Sequence, residues 1–88
     1  MHVREIIEAL IFSANGSLPA EDILKAVPGA NAGDLDSYVS ELNRMYEETD
    51  RSFRIERVSD GYQYVTREAY APYLKLLHTP VRLSMPSL

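Results

Sequence analysis

The sequence predicts an α+β domain of the winged helix-turn-helix type: three helices, a short strand, a two-stranded wing and a C-terminal helix. Three observations point there. Apolar residues recur with helical spacing in three successive segments before residue 50, the period shifts to that of a strand over 53–67, and Gly, Pro or Asn stands at nearly every junction.

In the first segment, residues 3–14, Val3, Ile6, Ile7, Leu10, Ile11 and Ala14 share one side of a helical wheel. Asn15-Gly16 closes it, with Gly16 free to take the left-handed conformation that ends helices. Ser17-Leu18 reads as a short extended bridge. Pro19 suits the start of a second helix, whose first turn carries Glu21 and Asp22 at its positive end. Ile23, Leu24 and Val27 supply the buried side, and Pro28-Gly29 stops the segment. After the loop 30–33, in which Asn31 is placed to cap, a third helix runs to about Thr49 with Leu35, Tyr38, Val39, Leu42 and Tyr46 along one face.

The segment FRIERVSDGYQYVTR (53–67) is hairpin chemistry around Ser59-Asp60-Gly61. A three-residue loop is expected, with Gly61 at the position that needs φ > 0. That register sets Val58 opposite Tyr62 and Ile55 opposite Val65. It gathers Phe53, Ile55 and Val65 on one face and Val58, Tyr62 and Tyr64 on the other. Tyr70, Tyr73, Leu74 and Leu77 then define a last helix that either begins at Pro72 or is kinked there. The final stretch HTPVRLSMPSL has two prolines and no period, so it reads as extended. The expected organisation is one domain over 1–78 and a linker over 79–88.

Composition narrows the function. The 88 residues carry a formal charge of −4, which argues against general nucleic-acid binding, since that rests on Lys and Arg displacing counterions. Cysteine is absent, so there is no disulfide, thiolate zinc site or cysteine nucleophile. No stretch approaches the roughly 20 apolar residues of a membrane span, and the expectation is a cytoplasmic protein. The two histidines lie in opposite terminal regions, and the four glycines form no phosphate loop. The residues offer no catalytic constellation, metal site or cofactor site, so the reading is of a protein that is not an enzyme.

By its place in the chain, the third helix is the element that such folds push into the major groove of DNA. Yet over 34–50, Asp34, Asp36, Glu41, Glu47, Glu48 and Asp50 oppose a single Arg44. Base readout calls for Arg, Lys, Asn or Gln on that face, with cations nearby for phosphate. Arg44 is better explained by pairing with Glu47 or Glu48. The wing is basic, with Arg51, Arg54, Arg57 and Arg67 against Glu56 and Asp60. The alternative reading is a DNA-binding regulator that uses Arg44, Arg54 and Arg57; the blander one pairs the wing arginines with carboxylates. Phe12 sits off the apolar stripe of its helix. Together with Val58, Tyr62 and Tyr64 it forms the candidate protein interface, because aromatic side chains dominate binding surfaces. The blander alternatives are that Phe12 packs under the last helix or the hairpin, and that Tyr73 or Leu77 of the last helix covers Val58, Tyr62 and Tyr64 within one chain.

IIEALIFSANGSLPAEDILKAV, then SYVSELNRMYEE, then FRIERVSDGYQYVTREAYAPYLKLL resembles, in order, the first domain of bacterial segregation and condensation protein B. Its most characteristic piece is the run Gly61-Tyr62-Gln63-Tyr64-Val65-Thr66-Arg67 followed by Tyr70. The resemblance implies a non-catalytic, self-pairing subunit that binds the kleisin subunit ScpA and, through it, an SMC ATPase. The complex acts in chromosome condensation and segregation, so the implied location is cytoplasmic, at the nucleoid. It also implies a homodimer formed through this domain, a winged helix used for protein contacts rather than DNA, and a second winged helix beyond residue 88.

Overall fold

The computed structural model describes residues 2–77. The expected tail over 79–88, together with His78, lies outside them. The described residues form a winged helix-turn-helix. Helix α1 (Val3–Ser13) is followed by strand β1 (Leu18–Pro19), helices α2 (Ala20–Ala26) and α3 (Ala32–Glu48), and strands β2 (Phe53–Val58) and β3 (Gly61–Thr66). A single 3-10 turn (Glu68–Tyr70) then leads into helix α4 (Ala71–Leu77).

Local chemistry explains each boundary. Gly16 does not close α1 as expected: the helix ends at Ser13 on an extended Ala14, and Gly16 (φ +103°) turns the chain two residues later, as Gly29 (φ +94°) does two residues beyond the α2 cap Val27. Pro19 is the cap before α2 rather than its first helical residue, and it occupies the edge strand, where its missing N–H costs nothing. Helix α3 begins with a reciprocal capping box: Asp34 N–H donates to the Asn31 side chain, and Asn31 N–H donates to the Asp34 carboxylate. Pro72 lies in the first turn of α4, where a proline is tolerated, so there is no kink.

The three strands form one antiparallel sheet in the order β1-β3-β2. The core is built from one stripe of each of α1, α2 and α3 and one face of this sheet. Ile7, Ile23, Leu35 and Leu42 are fully buried, and Ile11, Val27, Val39, Tyr46, Ile55 and Tyr62 pack around them. Four of the five stripe residues expected on α3 are therefore in the core, with Tyr38 half-buried at its margin.

The hairpin corrects the expected register. Val58 pairs with Gly61, Arg57 with Tyr62 and Ile55 with Tyr64, which leaves a two-residue loop, Ser59-Asp60. The positive φ falls on Ser59 (+56°) at the first loop position, as a primed hairpin turn demands, and not on Gly61. Gly61 is needed for a different reason. A Cβ there would lie 2.2 Å from the Leu18 carbonyl oxygen, so only glycine lets β1 close against β3. A one-residue slip changes which residues are cross-strand partners and share a face. Tyr62 and Tyr64 consequently stand on the core face with Phe53 and Ile55, while Val58 and Val65 are on the other face.

Candidate protein-interaction surface

Three features of the surface bear on function: the exposed side of α3, the arginines of the wing, and an apolar groove between α1 and the hairpin.

The exposed side of α3 is acidic in space as well as in sequence. Asp36, Glu41, Glu47 and Glu48 are all exposed, and Glu41 receives Arg4 from α1 at 3.4 Å. Asp36 organises a cross-element contact: both of its oxygens accept from Arg57 Nη1 at 2.9 Å, and one also accepts from the Tyr62 hydroxyl. The Tyr62 hydrogen bond, reinforced by the Arg57 charge, holds the Asp36 carboxyl below its usual range. Burial, followed by the hydrogen bond to Asp36, pushes the Tyr62 phenol up to about 12.

The residues of the DNA reading are divided. Arg57 is held by Asp36, with its guanidinium 5.9 Å from the centre of the Tyr62 ring. Arg54 reaches Glu56 on its own strand at 3.4 Å. Arg44 is exposed and makes no ion pair among the described residues, so the expected pairing with Glu47 or Glu48 is absent. Arg44 and Arg54 do border one shallow depression together with Arg67, but Glu47 lies on it as well.

The groove is the most apolar of the three. Glu8, Ala9 and Phe12 from α1, Tyr46 from α3, Phe53 from β2 and Tyr64 from β3 line a volume of about 470 Å³. Its floor is an aromatic cluster in which edge-to-face contacts hold the rings: Tyr46 to Phe53 at 5.0 Å between centroids, Phe53 to Tyr64 at 5.8 Å and Tyr64 to Phe12 at 6.1 Å. The polar ends of the two tyrosines are satisfied within the fold. The Tyr46 hydroxyl donates to the Glu8 carboxylate and lies 2.7 Å from the Tyr64 hydroxyl. Burial is the main reason that both phenols are pushed up from their usual value. Phe12 forms the lip, and 77% of it is exposed.

Of the candidate interface residues, the structure thus brings Phe12 and Tyr64 together in the groove. Tyr62 lies in the core at 3% exposure, and half-buried Val58 is on the opposite face of the hairpin. Sequence reasoning did not single out Glu8, Ala9, Tyr46 or Phe53 as groove residues. Their one available signal was that Glu8, Ala9 and Phe12 flank one another on the wheel of α1.

Helix α4 adds a second apolar element. Tyr73 is 70% exposed, Leu76 78% and Leu77 62%, and no residue of α4 is buried. Among the described residues no group of acidic or imidazole side chains is arranged to hold a metal, and no helix is long and apolar enough to cross a membrane.

Comparison with known proteins gives this surface a context. The chain is 35% identical over 79 residues to segregation and condensation protein B of Moorella thermoacetica, an alignment covering 90% of this chain and 40% of that protein. It is 32% identical over 90 residues to the protein of the same name from Syntrophotalea carbinolica, covering 100% of this chain and 45% of the relative. The chain thus spans less than half the length of these two curated relatives. Among solved structures, a conserved hypothetical protein from Chlorobium tepidum superposes with a TM-score of 0.84 at 34% identity, over 93% of this chain and 53% of that one. A dimer of the ScpB N-terminal domain complexed with an ScpA peptide superposes with a TM-score of 0.70 at 26% identity, over 85% of this chain and 93% of that one. The model of the family described as segregation and condensation complex subunit ScpB matches residues 5–88, and the chain belongs to that family.

Proposed function

We propose that this chain is a non-catalytic interaction domain that pairs with a second copy of itself and binds the kleisin subunit of an SMC complex, in the service of chromosome condensation and segregation. The observation that carries this reading is the contrast between two surfaces. The helix that would read DNA presents carboxylates, while an uncovered apolar groove with a protruding Phe12 lies on another face. A large exposed aromatic beside an apolar depression is the anatomy of a protein-binding anchor. Family membership supports the reading, as does the likeness to an N-terminal ScpB domain that forms a dimer with an ScpA peptide bound. Phe12 and Tyr64 are assigned the contact surface, Tyr62 stabilises it from the core, and the protein acts in the cytoplasm at the nucleoid.

Titration calorimetry of this chain with the central segment of its kleisin tests the partner assignment. Saturable heat with a defined stoichiometry is expected; no heat at high micromolar concentration would refute kleisin binding by this chain. Sedimentation equilibrium of the chain alone tests self-pairing separately.

The second reading, a DNA-binding regulator, draws on one observation: Arg44 makes no ion pair among the described residues and shares a depression with Arg54 and Arg67. Glu47 in the same depression and the acidic remainder of α3 oppose it.

A further inference from the structure

Both halves of an apolar contact are exposed on this one chain, and neither is seated on the other. Helix α4 has seven residues, none of them buried. A helix so short is marginal in water unless tertiary packing supports it. Tyr73 and Leu76 fall on one side of its wheel, with Lys75 on the opposite side. The groove between α1 and the hairpin is lined by Ala9, Phe12, Phe53 and Tyr64, and no α4 residue contributes to that lining.

We propose that α4 of one copy docks into the groove of a second copy, and reciprocally, so that Tyr73 and Leu76 pack against Ala9, Phe12 and Tyr64. This deepens the self-pairing reading given above and rests on it. Three considerations favour a second copy as the occupant. First, receptor and ligand surfaces reside on the same chain, so a two-fold axis makes the contact twice and closes the assembly with no surface left for further addition. Second, no charge of α4 has to be buried: Lys75, its one charged residue, lies on the side turned away from the groove and stays solvated, and Glu8 is the one charged residue lining the groove. Third, a single seven-residue helix in one groove is a small contact, and a reciprocal pair brings it toward the roughly 1,200–2,000 Å² of stable interfaces.

The test is sedimentation equilibrium of the 88-residue chain, of Phe12→Asp, of Leu76→Asp, and of an equimolar mixture of the two variants. Phe12 and Leu76 are 77% and 78% exposed, and unchanged circular dichroism verifies that each variant folds. The unaltered chain is expected at twice its monomer mass and each variant at monomer mass. The mixture is expected to associate at least about tenfold more tightly than either variant alone, because a mixed pair retains one unaltered helix facing one unaltered groove. Dimers retained by both single variants would overturn the docking while leaving self-pairing intact. A mixture that associates no more tightly than either variant alone would overturn the seating of α4 in the partner copy's groove. An unaltered chain that is monomeric at every concentration would overturn self-pairing itself, and this proposal with it.

Discussion

Replacing Asn43 by alanine removes a clasp between α3 and the outer edge of the wing. The Asn43 amide nitrogen donates to the Ile55 carbonyl at 2.9 Å, and its carbonyl oxygen accepts from Ile55 N–H at 2.8 Å. Strand β2 is an edge strand, and the side-chain amide acts for Ile55 as a neighbouring strand would. A neutral hydrogen bond contributes about 1 kcal/mol net, and a buried group left without a partner costs more. Asn43 is half-buried, so water would recover part of the loss, and the two bonds together correspond to roughly 2 kcal/mol. For a domain of this size that lowers Tm by roughly 10 °C. Urea unfolding followed by circular dichroism measures it directly, with an unchanged slope showing that the unfolded state is unaltered. Asn43→Asp supplies an internal control. Its protonated form donates to the Ile55 carbonyl and its carboxylate cannot, so this variant should lose stability relative to the parent chain as pH rises from acid to neutral. A loss below about 0.5 kcal/mol in Asn43→Ala, within the range of ordinary surface substitutions, would refute the clasp.

Other perturbations test other joints. Gly61→Ala places a Cβ 2.2 Å from the Leu18 carbonyl oxygen, so β1 must separate from β3; a loss of roughly 3 kcal/mol or more is expected in the same urea assay. Asp36→Asn tests the tie between α3 and the wing. Because the folded Asp36 carboxyl lies below its usual range, its stabilising contribution is present above the unfolded value and is lost as pH falls through the lower folded one. The variant should therefore be less stable than the parent chain at neutral pH, with the gap closing in acid. In an alkaline spectrophotometric titration, Tyr62 should ionise near pH 12 in the parent chain and earlier in Asp36→Asn, though still above a free tyrosine, because burial is the larger cause. Tyr46→Phe removes the hydroxyl that joins Glu8 to Tyr64 and should cost roughly 1–2 kcal/mol in urea unfolding, with the groove lining otherwise kept.

The helical part of the fold was legible because its signals are local. The stripe Leu35, Val39, Leu42 and Tyr46, the Asn31 cap and the turns at Gly16 and Gly29 that follow α1 and α2 depend on spacing and backbone freedom within a few residues. The hairpin was legible in kind but not in register. Ser59-Asp60-Gly61 suits a three-residue loop by its glycine, whereas here Gly61 is required by the close approach of Leu18, more than 40 residues earlier in the chain. A residue whose conformation is dictated by a distant backbone atom carries no local mark of that fact. The same slip regrouped the candidate interface, taking Tyr62 into the core and joining Tyr64 to Phe12. The groove itself was not legible, since its walls come from α1, α3, β2 and β3, and only the packing of α1 against the hairpin assembles them. The acid of α3 was legible as charge, but its tie through Asp36 to Arg57 and Tyr62 depends on how the wing lies against that helix.

Central to the proposed function is that the exposed side of α3, with Asp36, Glu41, Glu47 and Glu48, does not bind nucleic acid. Fluorescence anisotropy of a labelled random duplex, titrated with this chain at about 50 mM salt, tests that claim where electrostatic binding is strongest. The account predicts a flat curve to high micromolar protein. A rise at low micromolar protein that collapses at about 150 mM salt, and that Arg44→Ala abolishes, would contradict it.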